Sequence, residues 1–376
     1  MELIAMALIL AALVVGQYII YDKIGLKKVG YKLSISTPEA FENDVIEIVE
    51  EIENAKWLPL VWVRSEISCS PWLTFKGQTL FVNERDEQRG LISGIFVLRG
   101  YRKCRRVWKV RCEKRGIMTI DNVIITASDL FGLSKNAMIL KLSDSVRVLP
   151  VPAEMETGEL SGDMFIGNVQ VRRFVLPDPF MISGAREYTG REPMNRIHWQ
   201  QTARTGCLMA YKNEFTTERR IMIVLNMQRS VSAYEQPMTL PVLESQIKAA
   251  AFALDYCGRI NAECALAVNA AERLYIPPAE GYAHFMNSLR KLAELENVCG
   301  ERLDDMLTAL DYNEFTDIIL ITACVTERTC EILSGLSGRG KCCKVFTVGL
   351  NEDENMLPPA CGVMKIPRVN IREVKQ

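Results

Sequence analysis

Residues 183–230 read SGAREYTGREPMNRIHWQQTARTGCLMAYKNEFTTERRIMIVLNMQRS, a polar, arginine-rich approach that ends in one strongly apolar run, Ile221–Leu225. Within twenty residues it gathers Arg186, Glu187, Tyr188, Arg196, Trp199 and Arg204, punctuated by the apolar Ile197, Ala203 and Leu208. Arginine is planar, permanently charged and a bidentate donor. Three of them near Glu187, Glu192 and Glu214 can build an ion-pair lattice that fixes this arm, or present a site for a partner's carboxylates or phosphates. Trp199 and Tyr188 read as packing anchors, and His198, flanked by Ile197 and Trp199, as structural.

Working outward on the C-terminal side, Ile221–Leu225 opens a series of alternating elements. A helix is expected over 239–256, from Leu240, Leu243, Ile247, Ala250 and Leu254, with Gly258 as its stop. A strand at 264–268, helices at 282–295 and 304–310, a buried strand at 318–322, a helix at 326–336 and a strand at 344–348 complete the series. Such alternation predicts a mostly parallel sheet covered by helices.

On the N-terminal side, Pro150, Pro152, Pro177 and Pro179 mark a connecting arm over 151–218. Before it, 29–150 reads as short strands. The run Val45–Glu53 largely alternates apolar and acidic residues, and Val107–Glu113 sets Trp108, Val110 and Cys112 against Lys109 and Arg111. Both fit half-buried strands of an antiparallel sandwich. The basic run Arg99–Arg115 reads as an outward strand face balanced by Glu47, Glu50, Glu51 and Glu53. Its alternative reading is a surface for anionic lipid headgroups.

Residues 3–21, LIAMALILAALVVGQYIIY, carry no charge and nearly match a bilayer core of roughly 30 Å. The Met1-Glu2 start and the bulky Tyr18–Tyr21 end favour a transmembrane anchor over a cleaved signal. Lys23, Lys27, Lys28 and Lys32 follow the span, which predicts a single pass at the cell membrane with the bulk of the chain in the cytoplasm. Residues 1–28 thus contact membrane lipid, and 219–376 form the α/β domain.

The pattern R-E-Y, then R-I-x-W, then A-R-x-x-x-L, then a glutamate before a buried strand resembles the signature of the DUF58 proteins. The turn signals Arg115-Gly116 and Ser128–Leu133 are similar to that family's β-domain. The resemblance implies an α+β multidomain chain: an N-terminal transmembrane helix, an antiparallel β-sandwich and a von Willebrand A-like α/β domain with a mostly parallel sheet. It also implies a MoxR-type AAA+ ATPase as candidate partner. Where the family has a Gly-Asp pair after R-E-Y, this chain has Gly190-Arg191-Glu192.

A von Willebrand A cation site needs D-x-S-x-S after its first strand, so that carboxylate and hydroxyl oxygens converge on a hard cation. Here the residues are Asn226-Met227-Gln228-Arg229-Ser230, and the place of the later T-D-G is taken by Thr322-Ala323-Cys324. No metal is expected. Gly335–Lys341 matches G-x-x-x-x-G-K, but the predicted order around it is helix then strand and Cys342 follows, so it reads as a helix end and turn. Twelve cysteines without a C-x-x-C pair and two histidines point to reduced thiols rather than a zinc site. The net charge of −1 and the lack of an aromatic stripe beside the basic run exclude a nucleic-acid partner.

No nucleophile has a base beside it and no cofactor motif survives. The expectation is a non-enzymatic, membrane-anchored binding or assembly protein. Its rivals are a metal-dependent ligand-binding domain with a non-standard site near Asn226 and Ser230, and an envelope-associated hydrolase.

Overall fold

The computed structural model describes residues 2–78, 81–83, 86–153, 182–188, 197–213, 219–230, 236–348, 357–359 and 361–367. They divide into two compact units, the first holding the described residues up to Ala153 with Met286–Glu296, and the second those from Ile182 to Phe285 and from Asn297 to 367.

The first unit begins with helix α1, Glu2–Ile24. Leu3–Ile24 is long and apolar enough to cross a membrane. Ten strands follow: β1 Val29–Ile35, β2 Glu39–Phe41, β3 Val45–Asn54, β4 Leu60–Cys69, β5 Leu73–Phe75, β6 Phe81–Asn83, β7 Asp86–Leu98, β8 Arg102–Cys112, β9 Gly116–Ser128 and β10 Lys135–Leu149. They form a four-stranded sheet, β1-β3-β8-β5, and a six-stranded one, β2-β10-β9-β4-β7-β6. All pairings are antiparallel except β2 with β10. Residues of period two from both sheets, such as Ile48, Ile52 and Val110 from one and Ile67, Ile120 and Val123 from the other, share one apolar core.

The alternation in β3 has an inward parity of Ile46, Ile48, Glu50, Ile52 and Asn54. Glu50 therefore points into the core, where it is 0% exposed. It is not part of the outward acidic face. Its carboxylate accepts from Trp108 Nε1 at 2.9 Å and from the Tyr31 hydroxyl at 3.1 Å. Burial, with Glu50 beside it, pushes the Tyr31 phenol well above its ordinary pKa. Glu51, of the outward parity, pairs with Lys103 at 2.7 Å, and this hydrogen bond lowers its pKa.

The second unit holds β11 Ile182–Glu187, α2 Trp199–Thr205, β12 Met209–Asn213, β13 Arg220–Leu225, α3 Leu240–Arg259, β14 Glu263–Val268 and β15 Leu274–Ala279. After helix α4, Tyr282–Glu294, which from Met286 onward belongs to the first unit, come α5 Leu303–Ala309, β16 Asp317–Thr322, α6 Glu327–Gly338, β17 Cys342–Thr347 and β18 Gly362–Lys365. The main sheet has the order β15-β14-β13-β16-β17-β18, parallel throughout except for β15. Residues of both parities in β13 and β16 are buried, as a sheet covered on two faces requires. α5 and α6 share a core with Met222, Val224, Ile318 and Leu320, while α3 packs on β13, β14 and β16 from outside that cluster.

Three expectations need correction. Gly258 does not stop α3, which runs to Arg259 with Ile260 as its C-cap. β15 and β18 went unseen, because both are short edge strands and β15 contains Pro277 and Pro278. Trp199 packs against little: it is 60% exposed at the first position of α2.

Candidate functional site

Two places could carry function: the arm around α2, and the C-terminal ends of the parallel strands. In the arm, β11 and β12 pair antiparallel, with Arg186 opposite Ala210 and Glu187 opposite Met209. α2 is tied to this ribbon by the His198 amide donating to the Met209 carbonyl at 2.7 Å and the Met209 amide donating to Thr202 Oγ1 at 2.9 Å. His198 is the helix N-cap. Its Nδ1 accepts from the Gln201 amide at 3.3 Å, and its ring lies 4.5 Å from that of Tyr211. Gly206 closes the helix in a left-handed conformation, φ 74°, that favours glycine.

Of the six candidate residues, Glu187, Trp199 and Arg204 are exposed and Tyr188 is half-buried, its amide donating to the Leu208 carbonyl at 2.9 Å. Arg186 is placed by its backbone in β11, and Arg196 lies outside the described residues, as do Glu192 and Glu214. The ladder and α2 thus bring Glu187, Tyr188, Trp199 and Arg204 into one small element built on the bridge between buried Ile197 and Ala210. Of the apolar residues picked out in the sequence, Ile197 is buried while Ala203 and Leu208 are exposed; the burial of Ala210 and the exposure of Trp199 were not read from it.

At the ends of β13, β14 and β16 the side chains are amides. Asn226 Nδ2 donates to Thr322 Oγ1 at 2.9 Å, while its Oδ1 accepts from the Gln228 amide and from Asn269 Nδ2, both at 2.9 Å. Asn269 Oδ1 accepts from the Met227 amide at 2.6 Å, and its Nδ2 also donates to the Glu301 carbonyl at 3.0 Å. Gln228 Oε1 accepts from the Leu303 amide and its Nε2 donates to the Ser230 carbonyl, each at 3.0 Å. With its amide turned so that both ends are satisfied, Gln246 donates to the Asn226 carbonyl and accepts from the Ala323 amide. Asn226, Asn269, Gln246 and Thr322 are all fully buried.

The chemistry of this cluster is neutral. Its amide and hydroxyl oxygens are engaged in hydrogen bonds with one another and with neighbouring backbone, and Asn226, Gln228, Gln246, Asn269 and Thr322 bring no carboxylate of the kind a hard cation favours. Burial pushes the nearby Cys324 thiol up to about 11, which keeps it protonated. The Asp304 carboxylate is held by Thr326 Oγ1 at 2.8 Å and Thr329 Oγ1 at 2.6 Å. Asn269 was missed in the sequence, since it belongs to no motif; its place at the end of an apolar strand was the available signal.

Two other stretches resolve into structure. Gly335–Lys341 covers the end of α6 and its turn, with Gly340 at φ 79° and the Lys341 ammonium donating to the Tyr312 carbonyl at 2.8 Å. On β8, Arg106 lies over the Phe96 ring at 4.0 Å and donates to the Ile95 carbonyl at 2.7 Å.

Residues 184–361 match the family described as "Protein of unknown function DUF58". No curated protein matches the chain. Among solved structures, the CARDB domain of the PF1109 protein from Pyrococcus furiosus is 8% identical, covering 32% of this chain and 91% of that one, with a TM-score of 0.21. The sporulation control protein Spo0M from Bacillus subtilis is 9% identical over 33% of this chain and 50% of that chain, TM-score 0.19. Domains D2 and D3 of the pilin SpaD from Corynebacterium diphtheriae are 8% identical over 31% and 50%, TM-score 0.23. The matched stretches span about half the length of the latter two, and scores this low carry no conclusion about fold or function.

Proposed function

We propose, from the premise that residues 184–361 form a DUF58 region, that this chain is a membrane-anchored, non-enzymatic binding or assembly protein. Its second unit is a von Willebrand A-like domain without a working cation site. One observation carries the reading: the strand ends, where open parallel sheets usually take their ligands, are filled by a buried set of amides that satisfy one another. Recognition then falls to the arm, where Glu187, Trp199 and Arg204 stand in solvent on one small element. Indole and guanidinium are the side chains that contribute most at protein interfaces. On this reading α1 is the membrane anchor, supported by its length and apolarity, and the lysines after it favour the cytoplasmic side for the bulk of the chain. The partner implied by the family resemblance is a MoxR-type AAA+ ATPase.

The test is recovery of the full chain from detergent-solubilised membranes with and without ATP, followed by identification of co-purifying ATPases. A MoxR-type ATPase that is retained by the wild-type chain and lost with Trp199→Ala and Arg204→Ala is the expected result. Absence of any such ATPase in both nucleotide states overturns the partner, and retention by both variants overturns the arm as its site.

A further inference from the structure

At one end of the first unit, the β3–β4 and β9–β10 connections meet the last turns of α1 and the residues after it, and the β7–β8 loop is joined to the first of them. Asn54 Nδ2 donates to the Leu58 and Arg99 carbonyls, which joins the β3–β4 loop to the β7–β8 loop. Lys56, buried, donates to the carbonyls of Gly25 at 2.7 Å and Lys27 at 3.0 Å, and the Tyr21 hydroxyl donates to the Pro59 carbonyl at 2.9 Å. From the β9–β10 loop, Asp129 accepts from Gln17 Nε2 at 2.8 Å, and at the start of β10 Asn136 Nδ2 donates to the carbonyls of Tyr21 and Asp22. These contacts fix the height of the loops along the helix axis.

That height is at odds with loops standing in water if α1 spans. A bilayer core needs roughly 20 helical residues, about 30 Å. The stretch of α1 that is long and apolar enough to cross is Leu3–Ile24, about 33 Å at 1.5 Å per residue. Gln17–Tyr21, against which Asp129 and Asn136 are docked, therefore belongs to the last turns of that stretch. Whatever lies level with Gln17–Tyr21 therefore sits at the boundary between headgroups and acyl chains.

The loops are dressed for that depth. Trp57, Tyr101, Leu130, Phe131 and Leu133 occupy their tips and are each between 59 and 72% exposed. Aromatic residues with one polar end collect at this boundary, and leucine and phenylalanine gain by leaving water there. Lys23, Lys27, Lys28, Arg99 and Lys135 are exposed in the same segments, against the single exposed acid Asp22. The polar Gln17 is compatible with a membrane helix because its amide is engaged by Asp129.

We propose that these three loops are a second membrane contact: they insert their apolar tips into the interface of an anionic bilayer beside α1. The inference rests on the reading of α1 as a membrane anchor and adds that the β-unit is held against the lipid surface. Anionic headgroups satisfy the lysines and arginines that ring the tips.

The test uses the full chain in phosphatidylcholine–phosphatidylglycerol vesicles, with and without bromine on the upper part of the acyl chains. Trp57 and Trp62, which lies opposite Ser128 in the β4–β9 ladder, are the indoles at this end. Bromine is expected to quench part of the fluorescence. Trp57→Phe with Trp62→Phe removes most of that quenching, and Phe131→Trp added to the pair restores it. A chain that resists alkaline extraction yet fluoresces equally in both kinds of vesicle overturns the insertion while leaving α1 as anchor. A chain released by the alkaline wash overturns the anchor and this inference with it.

Discussion

Asn226 Nδ2 and Thr322 Oγ1 stand 2.9 Å apart, joining the ends of two neighbouring parallel strands with 0% exposure at either residue. The other end of the Asn226 amide, Oδ1, accepts from the Gln228 amide and from Asn269 Nδ2. Asn226→Ala orphans these groups, each costing roughly 1–3 kcal/mol, so a loss on the order of 3 kcal/mol is expected in urea titration. Calorimetry of the wild-type chain with Mg²⁺ or Mn²⁺ should register no heat of binding, since the amides are already engaged.

Arg204 is exposed in the last turn of α2 and forms no ion pair with another of the described residues. Arg204→Ala and Trp199→Ala should each leave stability within about 0.5 kcal/mol of wild type. A thermal melt shifted well beyond that would place both in the scaffold rather than on a recognition surface.

Glu50 is buried with two donors on its carboxylate. Glu50→Ala strands Trp108 Nε1 and the Tyr31 hydroxyl in the core and should cost on the order of 3 kcal/mol. Glu50→Gln keeps an acceptor for one of them and should cost less, which equilibrium unfolding of the two variants side by side will show.

Glu39 has its pKa lowered chiefly by the hydrogen bond from Arg290, with Arg147 adding to it. A folded pKa below the unfolded one means stability that is present above the unfolded value and disappears as pH falls through the folded one. Glu39→Gln should therefore flatten the acid limb of stability below about pH 4.5 and leave its slope near neutrality unchanged, as read from urea midpoints across that range.

How far the sequence reached is instructive in β3. The alternation from Val45 onward was legible and the strand is there, but parity, not charge, decides which residues go inward. Counting from Ile46 and Ile48 in steps of two lands on Glu50, which the acidic run concealed. The parallel sheet was legible because β13, β14, β16 and β17 are continuous apolar runs. Its edges, β15 and β18, have short runs without period, and so left no signal. In the arm, neither the β11–β12 ribbon nor α2 was read from the motif, and the direction of Trp199 depends on how α2 lies on β12, a tertiary fact no spacing encodes. The strand-end cluster was half visible: Asn226, Gln228 and Thr322 stood out as departures from a cation motif, whereas Asn269 and Gln246 join them only through the fold.

The antiparallel edge strand β15 carries Pro277 and Pro278 in succession. Neither has an amide hydrogen, so a strand arriving from another copy of the chain finds gaps where it needs donors. An edge blunted in this way resists strand addition by a second copy of the chain on that side of the sheet.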